Sequence, residues 1–299
     1  MPTLPPVDER AVQVLERHGW KPGDVLSTGV EGTAMDLQDL LRFGTALRRA
    51  PIPFRTSRVI EILEADGVTI TIEAKVNGRP LRLDSLPDAP VVSDREARLM
   101  GDALAGLARA TTAGLDVLPL LPGEPPATGT RFPIALAELV ERRFAAHPNR
   151  LRQEVAGVDD LVLSLSRWLR NRPDSPSPCL LHGDLIPANV LVENGAVAGV
   201  VDFGFLTTMG DPQFDAAITA SIFDMYGPHA RASESLLTDA FCARFRDDPQ
   251  TYLRYRAAYA VITNSYFDPA GVEGHFHWCV SMLRREEIRR AVHGDDRRS

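Results

Sequence analysis

One segment in the second half of the chain constrains the fold more than any other feature. It contains His182-Gly183-Asp184, then Asn189 five residues after Asp184, and later Asp202-Phe203-Gly204. Between Asn189 and Asp202, two short apolar runs flank the turn Glu193-Asn194-Gly195, a pattern that predicts a β-hairpin. Because a hairpin brings its two ends together, the sequence predicts that Asp184 and Asn189 lie close to Asp202.

The chemistry of these side chains indicates a cation site. Two carboxylates and one amide oxygen on neighbouring loops form a hard, oxygen-only set of ligands. Such a set suits Mg²⁺, which keeps several waters and takes other ligands from substrate phosphates. Phosphoryl transfer needs a cation at the phosphate oxygens and a carboxylate that orients the attacking hydroxyl. We therefore interpret residues 181–205 as the active-site segment of a phosphotransferase.

The same motifs, followed by Gly210-Asp211-Pro212 and Asp215, resemble the aminoglycoside phosphotransferase family, whose members share the protein-kinase-like fold. The resemblance implies that Asp184 is the catalytic base and that Asn189 and Asp202 hold Mg²⁺. It also implies that ATP or GTP donates the γ-phosphoryl group to a hydroxyl of a small molecule of the antibiotic or metabolite type. Either Asp211 or Asp215 is expected to anchor the catalytic loop, and His182 is given no chemical role.

The rest of the chain divides into a mixed first part and a helical second part. Helical spacing predicts an amphipathic helix over 36–50, and two β-branched runs, 58–63 and 68–74, predict a hairpin. Beyond residue 80 the pattern is helical. The fold class is therefore α+β and bilobal, with a small N-terminal lobe (1–78) and a larger helical C-terminal lobe (79–299) that carries the catalytic loop and metal site.

The resemblance also assigns nucleotide-binding residues in the first lobe. The segment 27–34 resembles a Gly-rich loop, in which Gly29, Gly32 and Thr33 bring backbone N–H groups to the phosphates. The hinge after the 58–74 hairpin is expected to take the adenine, through Glu73, Lys75 and Val76.

One element of the family pattern is missing. A strand carrying a phosphate-pairing lysine has no room between Thr33 and the helix at 36, and the only lysines are Lys21 and Lys75. Two alternatives stay open. In the first, an arginine such as Arg42, Arg48 or Arg49 takes the role of that lysine, since guanidinium groups bind phosphates well, and the protein is an active kinase. Otherwise the protein is a degenerate, pseudokinase-like member that acts as a ligand- or partner-binding module.

Composition narrows the classes of partner. A net charge of −7 without a long basic run argues against nucleic-acid binding, and no apolar run is long enough for a membrane span. The N-terminus lacks the pattern of a signal peptide, so we expect a cytoplasmic protein. The acidic and aromatic residues of the C-terminal half have two interpretations. Together they fit a binding site for a cationic acceptor, whereas each residue taken singly fits an ordinary core or surface position. They include Asp224, Glu234, Asp239, Glu273, His275 and Trp278. The oligomeric state stays open.

Overall fold

The computed structural model describes residues 16–19, 43–45, 47, 49–65, 68–82, 90–111, 120–121, 131–266 and 274–294. The strands in these ranges are β1 (Arg55–Thr56), β2 (Arg58–Ala65), β3 (Val68–Ala74), β4 (Arg79–Pro80), β5 (Cys179–Leu181), β6 (Val190–Glu193), β7 (Ala196–Val200) and β8 (Thr208–Gly210). The α-helices are α1 (Asp94–Leu107), α2 (Phe132–Ala146), α3 (Pro148–Glu154), α4 (Val158–Asn171), α5 (Pro212–Ile222), α6 (Ala230–Phe245), α7 (Pro249–Thr263), α8 (Gly274–Arg284) and α9 (Glu286–His293). None of the described helices has the length and apolar character needed to cross a bilayer.

The N-terminal part contains the predicted hairpin. Strands β2 and β3 pair antiparallel, from Arg58 opposite Ala74 to Ala65 opposite Val68. Within the predicted helix over 36–50, the described residues 43–45, 47 and 49 are helical. Phe43 of this helix is buried, and its ring centroid lies 5.4 Å from that of Phe203. The helix therefore packs directly on the Asp202-Phe203-Gly204 motif.

The hairpin predicted around Asn194-Gly195 is confirmed as β6 and β7. Asn194 and Gly195 both have positive φ, 50° and 79°, which is the conformation of a type I′ turn. Strand β1 joins β7 in parallel and β4 joins β6 antiparallel, so the sheet order is β1-β7-β6-β4. Because β1 precedes residue 78, part of the first lobe of the sequence division contributes to this sheet.

The helices of the second part supply the core. Helix α5 is buried along almost its whole length, and α7 packs across it with Tyr252, Tyr255 and Ala258 fully buried. Phe214 of α5 lies edge-on to Tyr255, with ring centroids 5.4 Å apart. Full burial of large aromatic side chains stabilises a fold by several kcal/mol in total, at roughly 1.5–3 kcal/mol each. Helix α5 is thus a rigid support, and its N-terminus lies beside β5, the strand that leads into the catalytic loop.

Candidate active site

The turn after β5 requires a glycine. Gly183 has φ of +81°, and a Cβ atom there would lie 2.4 Å from the carbonyl oxygen of Phe205 and 2.5 Å from the carbonyl carbon of Leu206. Both neighbours are backbone atoms that cannot rotate away. The catalytic loop and the loop after Asp202 are therefore in direct backbone contact, which places Asp184 next to the segment 202–207.

The side chain of Asp215 holds the His182-Gly183 turn in place through hydrogen bonds. Its two carboxylate oxygens accept hydrogen bonds from the backbone N–H groups of His182 and Gly183, each at 2.9 Å. Burial raises the pKa of Asp215 to about 6, while the two N–H donors oppose that shift. Charge-assisted bonds of this kind are about twice as strong as neutral ones. Asp215 is therefore the residue that anchors the catalytic loop.

Asp211 has a different task. It is the N-cap of α5 and accepts a hydrogen bond from the backbone N–H of Gln213 at 3.0 Å. The guanidinium of Arg172 and the hydroxyl of Tyr255 also donate to Asp211, at 2.8 and 2.7 Å. Of the two carboxylates that the sequence proposed as loop anchors, Asp211 fixes the start of the helix and Asp215 contacts the loop itself.

His182 connects the catalytic loop to β7. Its Nδ1 atom accepts from the backbone N–H of Asp184 at 3.3 Å, so Nε2 carries the proton and donates to the Val201 carbonyl at 2.9 Å. Burial lowers the pKa of His182 to about 4. The ring is therefore neutral near pH 7 and serves as a structural link between the two loops.

The amide of Asn189 ties the two predicted ligand loops together. Its Nδ2 atom donates to the Asp184 carbonyl at 3.0 Å, and its backbone carbonyl accepts from the Val201 N–H at 3.0 Å. Asp202 follows Val201 directly and has φ of +65°, a left-handed conformation that turns the chain sharply after β7. Burial raises the pKa of the Asp202 carboxyl group. The hairpin thus brings Asp184, Asn189 and Asp202 together, as the sequence predicts.

These residues fit a magnesium ion by their donor chemistry. With Nδ2 of Asn189 engaged, its Oδ1 atom is the amide atom left for a cation, and Asp202 adds a carboxylate. Within the described ranges, no group of three or more His, Cys, Asp or Glu side chains is arranged to hold a metal ion. A cation here would therefore take the rest of its ligands from phosphates and water, which is the usual habit of Mg²⁺.

Thr207 completes the loop contacts, and no sequence pattern marked it. Its hydroxyl donates to the His182 carbonyl at 2.8 Å and accepts from the Gly204 N–H at 2.8 Å. The side chain is fully buried. A single threonine therefore satisfies one backbone group on each of the two active-site loops.

On the nucleotide side, the structure places Glu73 near Asp202. Partial burial raises the pKa of Glu73, a hydrogen bond with Ser57 opposes this shift, and the charge of Asp202 adds to it. Val76 packs on β7, because its Cγ1 atom occupies the space where a Cβ on Gly199 would lie. Lys75 is exposed just beyond β3. The predicted phosphate-loop residues Gly29, Gly32 and Thr33 lie outside the described residues, as does Lys21.

A cluster of aromatic rings, called the aromatic wall below, lies near Asp184 and consists of Tyr259, Phe205, Tyr266 and Trp278, with His275 stacked on Trp278. Tyr259 of α7 is buried, and its pKa is raised first by burial and then by the nearby Asp184 charge. The Phe205 ring lies edge-on to Tyr259 and Tyr266, with centroid distances of 6.4 and 4.9 Å. Trp278 lies edge-on to Tyr259 at 5.9 Å. Position 259 is far from the motif in sequence, and no local pattern marked it.

His275 belongs to the same wall and is uncharged. The Thr263 hydroxyl donates to the Tyr259 carbonyl, so it accepts from Nε2 of His275 at 2.9 Å, and Nδ1 accepts from the Tyr226 hydroxyl at 2.9 Å. Burial lowers the pKa of His275 to about 4.

The acidic residues proposed from the sequence as contacts for a cationic acceptor differ in burial and in pairing. Glu234 is buried and paired with Arg256 and Arg285, with a shortest distance of 2.8 Å to Arg285. Its charge is therefore neutralised inside the core and is not offered to a ligand. Asp239 is exposed, and Glu273 lies outside the described residues. For Glu234 and Trp278, the core interpretation is the right one.

Comparison with solved structures shows the same fold in antibiotic phosphotransferases. The ternary complex of aminoglycoside phosphotransferase APH(4)-Ia with AMP-PNP and hygromycin B matches with a TM-score of 0.59 and 16% identity, covering 83% of this chain and 82% of that one. The macrolide 2'-phosphotransferase MphH from Brachybacterium faecium matches with a TM-score of 0.54 and 18% identity, covering 92% and 98%. The GDP complex of an aminoglycoside 2'-phosphotransferase-IIIa matches with a TM-score of 0.52 and 19% identity, covering 88% and 83%.

These matches confirm the α+β, bilobal, protein-kinase-like fold. A search of curated protein sequences gives no significant match. The model of the phosphotransferase enzyme family, in contrast, matches residues 25–260 and so includes the segment 181–205, the β6–β7 hairpin and α5. The chain belongs to the phosphotransferase enzyme family.

Proposed function

We propose that the protein transfers the γ-phosphoryl group of ATP or GTP to a hydroxyl of a small molecule. The observation that carries the proposal is the convergence of Asp184, Asn189 and Asp202 on two loops that are fixed by Asp215 and Thr207. Phosphoryl transfer depends mainly on positioning and electrostatic stabilisation, and both require loops that are held before substrate arrives. A cytoplasmic location and the absence of nucleic-acid binding stay predictions from the sequence.

Asp184 is the proposed base. It is half-buried at the end of the anchored turn, where the His182 ring accepts from its backbone N–H. There its carboxylate orients the acceptor hydroxyl and takes its proton as the oxygen attacks. Asn189 and Asp202 are the proposed Mg²⁺ ligands. Held by these two side chains, a cation would supply positive charge against the charge that develops on the phosphate oxygens.

The acceptor is proposed to be an antibiotic- or metabolite-type molecule that lies against the aromatic wall. Tyr259 lies beside Asp184 and, like His275, is buried, so the rings that reach solvent are the exposed Tyr226, which is bonded to His275, and the partly exposed Phe205 and Tyr266. Aromatic faces favour the apolar faces of sugars and macrocycles as well as cations. A cationic amine stays one candidate class, since Asp184 supplies charge while Glu234 does not.

One observation favours the alternative of a degenerate binding module. Glu73 stands close enough to Asp202 for the two charges to repel each other, and Lys75 is exposed at the end of β3. Two neighbouring carboxylates with no lysine between them among the described residues make a poor site for nucleotide phosphates unless a cation is bound. In that case the protein binds a ligand or partner and does not turn over.

Calorimetric titration of the protein with Mg²⁺-ATP and Mg²⁺-GTP separates the two. The enzyme proposal expects binding by the wild type that weakens about tenfold or more in Asp202→Asn, since a charged contact of roughly 1.5–3 kcal/mol is lost. Asp239→Asn, a change of an exposed carboxylate, is the matched control and should bind as the wild type does. No binding of either nucleotide by the wild type at millimolar concentration would overturn the enzyme proposal in favour of the binding module.

A further inference from the structure

A cavity of about 220 Å³ lies against β5, beside the anchor of the catalytic loop. Its walls come from α1, β5, α5 and the segment after α6. Leu104 and Leu180 on its wall are buried, whereas Ala108, Phe245 and Asp247 are partly exposed. The cavity therefore runs from the surface into the core, on elements that the proposed phosphoryl-transfer chemistry does not use directly.

The lining is apolar except for carboxyl groups. Leu104, Leu180 and Phe245 provide hydrocarbon surface, while Asp215 and Asp247 bring carboxylates to the same space. An apolar cavity of roughly 150 Å³ accepts a benzene molecule. The larger volume here leaves room for an aromatic ring with a short polar substituent.

Both carboxylates keep free acceptor capacity. The oxygens of Asp215 each accept one backbone N–H, and Oδ2 of Asp247 accepts from the Tyr252 hydroxyl at 2.7 Å. An ionised carboxylate has about four acceptor positions, so each side chain can take a further donor.

The surrounding charges favour a cation over a neutral donor. Asp211 lies near Asp247 and adds a third carboxylate, while the guanidinium of Arg172 is bound to Asp211 at 2.8 Å. Among the described residues that line the cavity there is no arginine, lysine or histidine, so Asp215 and Asp247 supply its charge.

We propose that this cavity binds a small apolar amine, with its ammonium group at Asp215 and Asp247 and its apolar body against Leu104, Leu180 and Phe245. Binding has a consequence for the catalytic loop, because the carboxylate that receives the ammonium is the one that holds His182 and Gly183. An ammonium at Asp215 draws the carboxylate charge away from the two backbone N–H groups. The amine site and the anchor of the loop that carries Asp184 thus share one carboxylate.

Benzylamine is the probe, and benzyl alcohol is its uncharged counterpart. Titration of the whole chain, followed by calorimetry or ligand-observed NMR, should show benzylamine binding about tenfold or more tightly than benzyl alcohol, as expected for one charge-assisted contact. Ala108→Leu fills the cavity and should abolish binding of benzylamine. Ala105→Leu changes the same helix at a half-buried position outside the lining and should leave binding unchanged.

A second variant protects the test from a misfolded Ala108→Leu. Asp247→Asn should weaken benzylamine binding about tenfold while benzyl alcohol binding stays the same, with the melting temperature recorded for each protein. No benzylamine binding to the wild type, or equal binding to the wild type and a folded Ala108→Leu, overturns the proposal. These measurements need no turnover, so their failure leaves the proposed phosphotransferase function untouched.

Discussion

The Oδ1 atom of Asp215 lies 2.9 Å from the backbone nitrogen of Gly183. With its second bond to the His182 N–H, the Asp215 carboxylate fixes the two residues that precede the proposed base. The position of Asp184 is therefore set by a buried side chain of α5, and the activity should depend on a residue that does not face the reacting groups.

Replacing Asp215 with asparagine tests this dependence. The asparagine amide presents one oxygen and one NH₂ group, so one of the two backbone N–H groups would face a donor. The loss of charge-assisted bonds worth roughly 1.5–3 kcal/mol each should lower kcat about a hundredfold or more. Steady-state kinetics with the phosphorylated acceptor as readout measures the change.

Asp248→Asn is the matched control for that variant. Asp248 is the N-cap of α7 and also accepts two backbone N–H bonds, from Gln250 and Thr251, and neither donor belongs to the catalytic loop. Asparagine is an equally good N-cap, so kcat should stay within about twofold. An equal loss in both variants would show that Asp215 acts only through general stability.

The pH dependence of stability gives an independent signature of Asp215. Its pKa is raised from 3.8 to about 6, so the folded protein binds the proton more tightly than the unfolded chain does. Its contribution to the free energy of unfolding therefore falls as pH rises from about 4 to about 6. His182 acts in the opposite direction, because its pKa is lowered from 6.5 to about 4 and its contribution rises over about the same range.

Asp215→Asn should consequently steepen the gain in stability with rising pH. Urea unfolding at about pH 4.5 and pH 6.5 should show a larger increase in the free energy of unfolding for the variant than for the wild type. The difference is expected to be about 2 kcal/mol, because this interval covers roughly 1.5 pH units below the folded pKa of about 6, at about 1.4 kcal/mol each. Parallel pH profiles for the two proteins would contradict the raised pKa of a buried Asp215.

The backbone contact at Gly183 can be separated from its left-handed conformation. Gly183→Ala and Gly195→Ala both place a Cβ atom at positive φ, +81° and +79°, but only the first meets other atoms within 4 Å. Gly195→Ala should cost about 1–2 kcal/mol of the free energy of unfolding. Gly183→Ala should cost at least about 2 kcal/mol more and abolish activity, because the loop after Asp202 must move. Similar costs in denaturant unfolding would refute the close contact.

The Thr207 hydroxyl can be removed with little change in side-chain shape. In Thr207→Val, the His182 carbonyl and the Gly204 N–H both lose their partner, which should cost about 1–3 kcal/mol for each buried group. Thr219→Val is the control, because the Thr219 hydroxyl is buried without a hydrogen-bond partner among the described residues. That change should be neutral or stabilising by thermal unfolding. A Thr207→Val protein as stable and active as the wild type would contradict the role given to this hydroxyl.

The sequence predicted those parts of the site that local patterns determine. The Asn194-Gly195 turn fixes its hairpin through two adjacent positive φ angles, so Asn189 and the residues after β7 had to meet. The hairpin of β2 and β3 followed from the same kind of signal.

Contacts between distant elements were beyond local patterns. Asp211 and Asp215 differ by one helical turn, and only the packing of α5 on β5 decides which carboxylate reaches the loop. Tyr259 reaches Asp184 through the placement of α7, and Glu73 reaches Asp202 through the packing of the two lobes. The predicted absence of a lysine-bearing strand concerns residues 21–36. These lie outside the described part of the chain, so the absence stays a prediction.

Transfer of labelled γ-phosphate tests the central claim most directly. Wild type and Asp184→Asn are incubated with Mg²⁺ and labelled ATP or GTP, and with a panel of aminoglycosides, macrolides and simple hydroxyl metabolites. We expect the wild type to form a labelled product with at least one acceptor. Asp184→Asn should form it at least about a hundredfold more slowly, since a positioned base contributes roughly 10²–10⁴ in rate. Equal product formation by Asp184→Asn would contradict the assignment of the base. If the wild type binds Mg²⁺-nucleotide but forms no product with any acceptor, the proposal that the protein is a small-molecule phosphotransferase is contradicted.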